Sequence, residues 1–249
     1  MDLRTQLHAL SPSETLRQFK TDSEWTMKAG IGGMIYAFGL VLIFLNILFF
    51  PVIICLLALI EGYLITTIHA SIADANAPLP KWKGWLELLI AGLTWMAIES
   101  LLFLASLGIV LGALVLGDIM HGDRILHPSF PFWATSVWSL VMLVFALSSL
   151  FSAFRMTYFA QRQEIGAAFG FGEVLKCLVR FPAPLLQAWL LQTGLFALAL
   201  LLPIATVIGV FLLPSTIFIS QLFGARILAQ AWRLTRSEEE QNPPVSAPQ

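Results

Sequence analysis

Two carboxylates stand inside apolar runs, where an ionised group is expensive. Between Lys28 and Asp74 the only formal charge is Glu61, which follows Pro51 by ten residues. That spacing is ~15 Å along a helix and puts Glu61 near the middle of a membrane crossing. An ionised carboxylate at such depth is costly unless it is paired or protonated. Two chemistries follow. One is a proton- or cation-coupling site. The other, which we favour at this point, is a structural ion pair with Arg155 or Arg226, each of which follows a small residue late in the chain. Glu99 lies fourteen residues beyond Trp85. On a straight helix it would be ~21 Å deep. It has no obvious basic partner, and Thr94 or Gln192 would satisfy its protonated form.

Neutral polar residues inside apolar runs, here Asn46, Gln187 and Gln192, more often join helices by hydrogen bonds than bind substrate. Gly30, Gly32 and Gly33, with Gly62 and Gly224, read as positions where helices approach closely; no strand precedes the first group, which excludes a nucleotide loop. Gly108, Gly112 and Gly117 read as a packing face of the same kind. Asp118, His121, Asp123 and His127 are metal-ligating types, but they are scattered and lack an H-E-x-x-H helix, so no metal centre is expected. There is no G-x-S-x-G, P-loop or C-x-x-C. No catalytic residue and no cofactor are therefore expected. Cys55 and Cys177 belong at different depths and read as small packing residues rather than a disulfide.

The elements that must position these residues follow from composition. The chain has 249 residues, 58% hydrophobic and 12% charged, with 14 Lys and Arg against 15 Asp and Glu. Soluble domains carry about 25% charged residues. Together with a mean hydropathy of +0.82 this excludes a soluble domain, a disordered chain and a nucleic-acid binder. An all-α integral membrane protein remains.

A crossing takes about 20 apolar residues. Spans are expected at about 29–50, 51–72, 85–116, 132–160, 184–202 and 208–232. Pro51 divides the first pair, and Pro203 and Pro214 bracket the last reversal. The third span is long enough either to tilt or to begin as an interfacial helix. Residues 1–28 form a cytoplasmic amphipathic segment without a secretory signal, so the first span would act as its own insertion signal. Residues 233–249, with three consecutive Glu and then prolines, read as a disordered cytoplasmic tail. Thirteen of the 14 Lys and Arg fall on one side of this map, with only Arg124 opposite. Basic loops stay inside, which predicts cytoplasmic termini. Trp25, Trp82, Trp85 and Trp232 would mark the inner boundary and Trp133 the outer one.

The six spans also read as three hairpin repeats about an axis along the membrane normal. Gly62-Tyr63 with Thr66, Ala153-Phe154 with Thr157, and Gly224-Ala225 with Leu228 align, and Arg155 and Arg226 correspond to Leu64. Each hairpin has a lead-in: residues 11–26, with Ser11, Pro12 and Glu14 as a capping box; residues 80–85; and residues 172–181. Such amphipathic helices lie flat at the headgroups.

The ordered elements "DSEW" (Asp22–Trp25), "GIGG" (Gly30–Gly33), "EGYL" (Glu61–Leu64), "APLPKWKGW" (Ala77–Trp85), "AGL" (Ala91–Leu93) and "SQLFGARILAQAWR" (Ser220–Arg233) resemble the prokaryotic membrane family catalogued as domain of unknown function 4013. The likeness runs over roughly residues 15–235. It implies six helices in a bacterial or archaeal plasma (inner) membrane and brings no activity and no site residues. The expectation for function is a non-catalytic subunit or accessory factor, partnered by membrane lipids and other integral membrane chains. The rival is a small-solute or lipid transporter in which Glu61, Glu99, Arg155 and Arg226 line a polar path. An enzyme acting on lipid has only the 117–131 loop and the two Glu behind it.

Overall fold

A computed structural model describes residues 12–45, 47–121, 131–204 and 209–241. All regular structure among them is helical: α1 (Pro12–Thr21), α2 (Trp25–Leu45), α3 (Phe50–Ala73), α4 (Trp85–His121), α5 (Pro131–Arg162), α6 (Phe171–Arg180), α7 (Pro182–Ile204) and α8 (Gly209–Gln241), with short 3-10 turns at Ile47–Phe49 and Ile165–Phe169. Six are long and apolar enough to cross a membrane: α2, α3, Trp85–Gly112 of α4, Ser139–Arg162 of α5, α7, and Phe211–Ser237 of α8. The chain is a multi-pass membrane protein.

Local chemistry sets the boundaries. Pro51 occupies the first turn of α3, where its missing N–H costs nothing, and the 3-10 turn before it absorbs the reversal. Asn46 lies outside the described residues. Gly84 takes φ +63° at the entry to α4, and its carbonyl accepts the Leu88 N–H at 3.0 Å. α4 then runs unbroken for 37 residues, so the third span has no interfacial elbow. Of the 80–85 lead-in only Trp85 is helical, as the first residue of α4; residues 80–84 belong to a connection without regular structure. The last helix continues through Gln241, which corrects the expectation of disorder from residue 233. Glu238–Glu240 are good helix formers extending a helix already nucleated upstream. Residues 242–249 lie outside the described residues.

α3 and α8 form the centre of the spans. They pack on each other, α2 lies against both, α4 against α3, α7 against α8, and α5 mainly against α3. α4 and α5, consecutive in sequence, touch little. Outer helices present large apolar side chains to the surroundings, among them Phe44, Leu104, Ile109 and Leu201, as lipid-facing surfaces must. α8 and α3 are the most enclosed spans, and α8 carries Phe218, Leu222, Ile227 and Trp232 at 1% exposure or less. Trp232 is therefore a core residue rather than a boundary marker, and its Nε1 donates to Gln161 Oε1 at 2.8 Å.

Glycines decide how close the helices come. A Cβ on Gly62 would lie 1.9 Å from the Leu88 carbonyl oxygen, and one on Gly92 would lie 1.7 Å from that of Ala58. α3 and α4 thus meet backbone to backbone. Gly32 and Gly33 face Phe218 and Ser215 of α8, and Gly224 faces the Gln192 side chain. Gly30, Gly108 and Gly112 face open space, so they are not packing contacts; spacing alone does not say which neighbour arrives. Cys55 is exposed, and Cys177 Sγ contacts Thr235 Oγ1 at 3.4 Å.

Two of the aligned hairpin positions share a local bond: Thr66 Oγ1 donates to the Gly62 carbonyl, and Thr157 Oγ1 to that of Ala153, both at 2.9 Å. The aromatic lead-ins each cross to a second helix of another hairpin. Phe19 stacks on Phe223 at 4.3 Å, Trp82 on Tyr63 at 4.0 Å, and Phe171 lies 4.8 Å below the Arg155 guanidinium.

Candidate functional site

Two polar centres are built into this frame. The first joins the start of α2 to the 74–84 connection. Asp22 and Lys28 are each 5% exposed at the side chain, and Lys28 Nζ donates to Asp22 Oδ2 at 2.8 Å. Backbone groups bind both members of the pair, and Glu24 Oε2 lies 3.7 Å from the Lys28 ammonium. Asp22 accepts the Leu79 N–H at Oδ2 and the Glu24 N–H at Oδ1, both at 2.9 Å, and Lys28 Nζ donates to the Leu79 carbonyl at 2.8 Å. Burial pushes the Asp22 carboxyl up, but the bonds from Lys28, Glu24 N and Leu79 N outweigh it and hold the group below the usual carboxylate range. Around this pair, Trp82 Nε1 donates to the Lys28 carbonyl at 3.0 Å and Tyr63 Oη to that of Pro80 at 2.8 Å. Arg226 Nη2 donates to the Ala77 carbonyl, with the guanidinium 4.8 Å over the Phe19 ring. This is a clasp: charged side chains hold a connection that has no secondary structure of its own.

The second centre lies between the spans. A cavity of about 360 Å³ is bounded by five helices and lined by Glu61, Glu99, Ser152, Gln192, Ser220 and Gln221, with apolar residues between them. Glu99 Oε2 accepts from Arg155 Nη2 at 2.6 Å, and Arg155 Nη1 donates to the Ala168 carbonyl at 3.3 Å. Trp95 and Phe171 flank the guanidinium at 5.5 and 4.8 Å. Arg155 Nε is buried without an acceptor. Tyr36 Oη donates to Gln221 Oε1 at 2.7 Å. Glu61 has no hydrogen bond or ion pair among the described residues, and Gln192 Oε1 is buried without a donor. Gln187 Oε1 is likewise unmatched.

Glu99 also closes one end of a larger groove. This space, about 690 Å³, opens where α4 and α5 diverge. Leu102, Ser106, Val110, Val144, Ser148 and Phe151 line it, and Arg155 and Phe171 stand with Glu99 at its polar end.

The expected pairing is therefore corrected. Arg155 meets Glu99, not Glu61, because α4 brings Glu99 to α5 while Glu61 looks into the middle of the bundle. Arg226 is spent on the clasp, and Gln192 lines the cavity without bonding Glu99. The sequence reading missed Asp22 and Lys28 as a buried pair, having counted Lys28 only as a basic flank. It also missed the hydroxyls of Ser149, Ser152 and Ser220 and the amide of Gln221, whose signal was polar residues at helical spacing within apolar runs. Asp123 and His127 lie outside the described residues, as do the side chains of Asp118 and His121. Among the described residues no group of three metal-ligating side chains occurs.

Residues 44–213 match the profile of a family described as "Protein of unknown function (DUF4013)". That stretch is more than half of the chain and contains Glu61, Glu99, Arg155 and Gln192. Asp22–Trp25, Gly30–Gly33 and Ser220–Arg233, which also carry the resemblance, fall outside it. No curated protein and no solved structure matches the chain.

Proposed function

Because this chain belongs to the DUF4013 family, whose description assigns no function, we propose one from the cavity: a carrier-type membrane protein that takes a proton or small cation between its helices, with Glu61 as the binding carboxylate. The observation that carries this is the charge count at the site. Two carboxylates face one guanidinium, and Arg155 is already committed to Glu99. Among the described residues Glu61 has no counter-ion, and it borders a space of mixed polar and apolar lining large enough for a small ligand. A group of this kind is costly to keep unless something titrates or pairs it. The charge bias supports a cytoplasmic placement for the end that carries α1, the 74–84 connection and α6, in a prokaryotic plasma membrane with both termini inside.

The accessory-subunit reading keeps one observation in its favour. Beyond Glu99, α4 has little protein against it and exposes Leu101, Leu104 and Ile109, a face a second membrane chain would fit.

The test uses the full chain in liposomes. Charge movement is recorded on concentration jumps of Na+, K+, methylammonium and H+. Wild type responds to at least one, and Glu61→Gln, folded as judged by thermal unfolding, does not. Silence of the wild type to all four, or an unchanged response in Glu61→Gln, overturns the proposal.

A further inference from the structure

Resting on that cavity reading, we infer that the occupant is a single-chain cationic amphiphile, with an ammonium head in the central cavity and an alkyl tail in the groove between α4 and α5. Three observations converge on it. The first is charge: among the described residues, ionised Glu61 and Glu99 against Arg155 leave one negative charge unmatched, and this calls for one positive charge. The second is hydrogen bonding. The Glu61 carboxylate that lines the cavity is an acceptor, so the ligand must donate, and an ammonium carries only donors. Arg155 does not offer itself to an anionic head. It is 2% exposed, two of its nitrogens are engaged by Glu99 and Ala168, and its Nε is buried.

The third observation is the groove itself. It adjoins the cavity at Glu99, the residue that lines both. Leu102, Val110, Val144 and Phe151 offer an alkyl chain an apolar wall, while Phe103 and Leu107 at 50% and 36% exposure leave the groove open towards the lipid. A tail would enter sideways from the bilayer without crossing water. Anionic lipids would place their charge beside two carboxylates, which disfavours them.

The test is photolabelling of the full-length protein in neutral-lipid nanodiscs. The probe is dodecylamine carrying a diazirine at the far end of its chain. Adducts are expected on α4 residues 102–110 and α5 residues 141–151. Excess dodecylamine removes them, and dodecanol or dodecyl sulfate at the same concentration does not. Glu61→Gln lowers labelling at least ~10-fold, as loss of a charged hydrogen-bond partner should. Ser106→Trp, which fills the groove, abolishes the adducts yet leaves the methylammonium response intact. Adducts confined to the outer faces of α2 or α7, competition by dodecyl sulfate, or labelling blocked by a second protein chain seated in the groove would each overturn the inference. If methylammonium still drives Glu61-dependent currents in those cases, the amphiphile is wrong and the cation site stands. If neither probe acts, both fail.

Discussion

The clasp and the cavity use the same residue types to opposite ends. At the clasp, Asp22 and Lys28 are enclosed, and each finds backbone partners besides the other. A buried ion pair repays its desolvation only when further hydrogen bonds support it, and here the Glu24 and Leu79 backbone supplies them. At the cavity, Glu99 has Arg155, but among the described residues Glu61 has no partner and Gln192 Oε1 is buried without a donor. Unmatched atoms alone do not mark a site, since Arg226 Nε and Nη1 at the clasp are also buried without acceptors. What separates the two centres is that the Asp22 carboxylate has its cation, while among the described residues the Glu61 carboxylate beside the cavity has none.

The largest effect should come from breaking the clasp on one side. Lys28→Met leaves Asp22 buried without its cation, and removing one partner of a buried pair costs ~3–5 kcal/mol. Adding Asp22→Asn should return most of that. Thermal unfolding of the purified chain reads both; a loss below ~1 kcal/mol for Lys28→Met would show that the pair is not the fastening described here. Next in size is Arg155→Gln. Glu99 is 36% exposed at the side chain, so stranding it costs less, ~1–3 kcal/mol. Glu99→Gln should rescue Arg155→Gln, and Glu61→Gln should not. Rescue by Glu61→Gln instead would restore the pairing expected from sequence and remove the free carboxylate on which the carrier reading rests.

The smallest effect is a pH dependence confined to the clasp. The folded state holds Asp22 below its ordinary range, so it binds fewer protons there than when unfolded. Its contribution is whole above about pH 4 and is lost as pH falls through the lowered folded value. The stability gap between wild type and Asp22→Asn should therefore be flat at neutral pH and narrow on strong acidification. A gap that instead widens in acid would contradict the assigned hydrogen bonds. Glu173 and Lys176 make a comparison on the exposed side of α6: they bond at 2.8 Å, which lowers the Glu173 carboxyl.

Much of the frame was legible because the bilayer imposes so strict a rule. Runs with few or no charges, broken at Pro51 and near Pro203, give six spans with little ambiguity. Which helix lies beside which is another matter. Glu61 and Glu99 look alike in sequence, and only the approach of α4 to α5 at this level assigns Arg155 to the second. Gly92 and Gly108 share a helix and a residue type. Gly62 happens to arrive opposite the first, and nothing arrives opposite the second. The clasp was hidden for a related reason: Asp22 and Lys28 read as solvated flanks until the Leu79 backbone folds over them. Apolar periodicity reports which residues avoid water, but not which polar groups will find each other once water is gone.

The glycine contact between α3 and α4 has a mechanical corollary. With main chains touching at Gly62 and Gly92, those two helices have no side-chain cushion along which to slide and must travel as one body. The opposite flank of α4 is packed more lightly, and there the tie between Glu99 and Arg155 spans the gap to α5. A ligand that drew Glu99 away from Arg155 would free the joined α3–α4 unit to swing from α5.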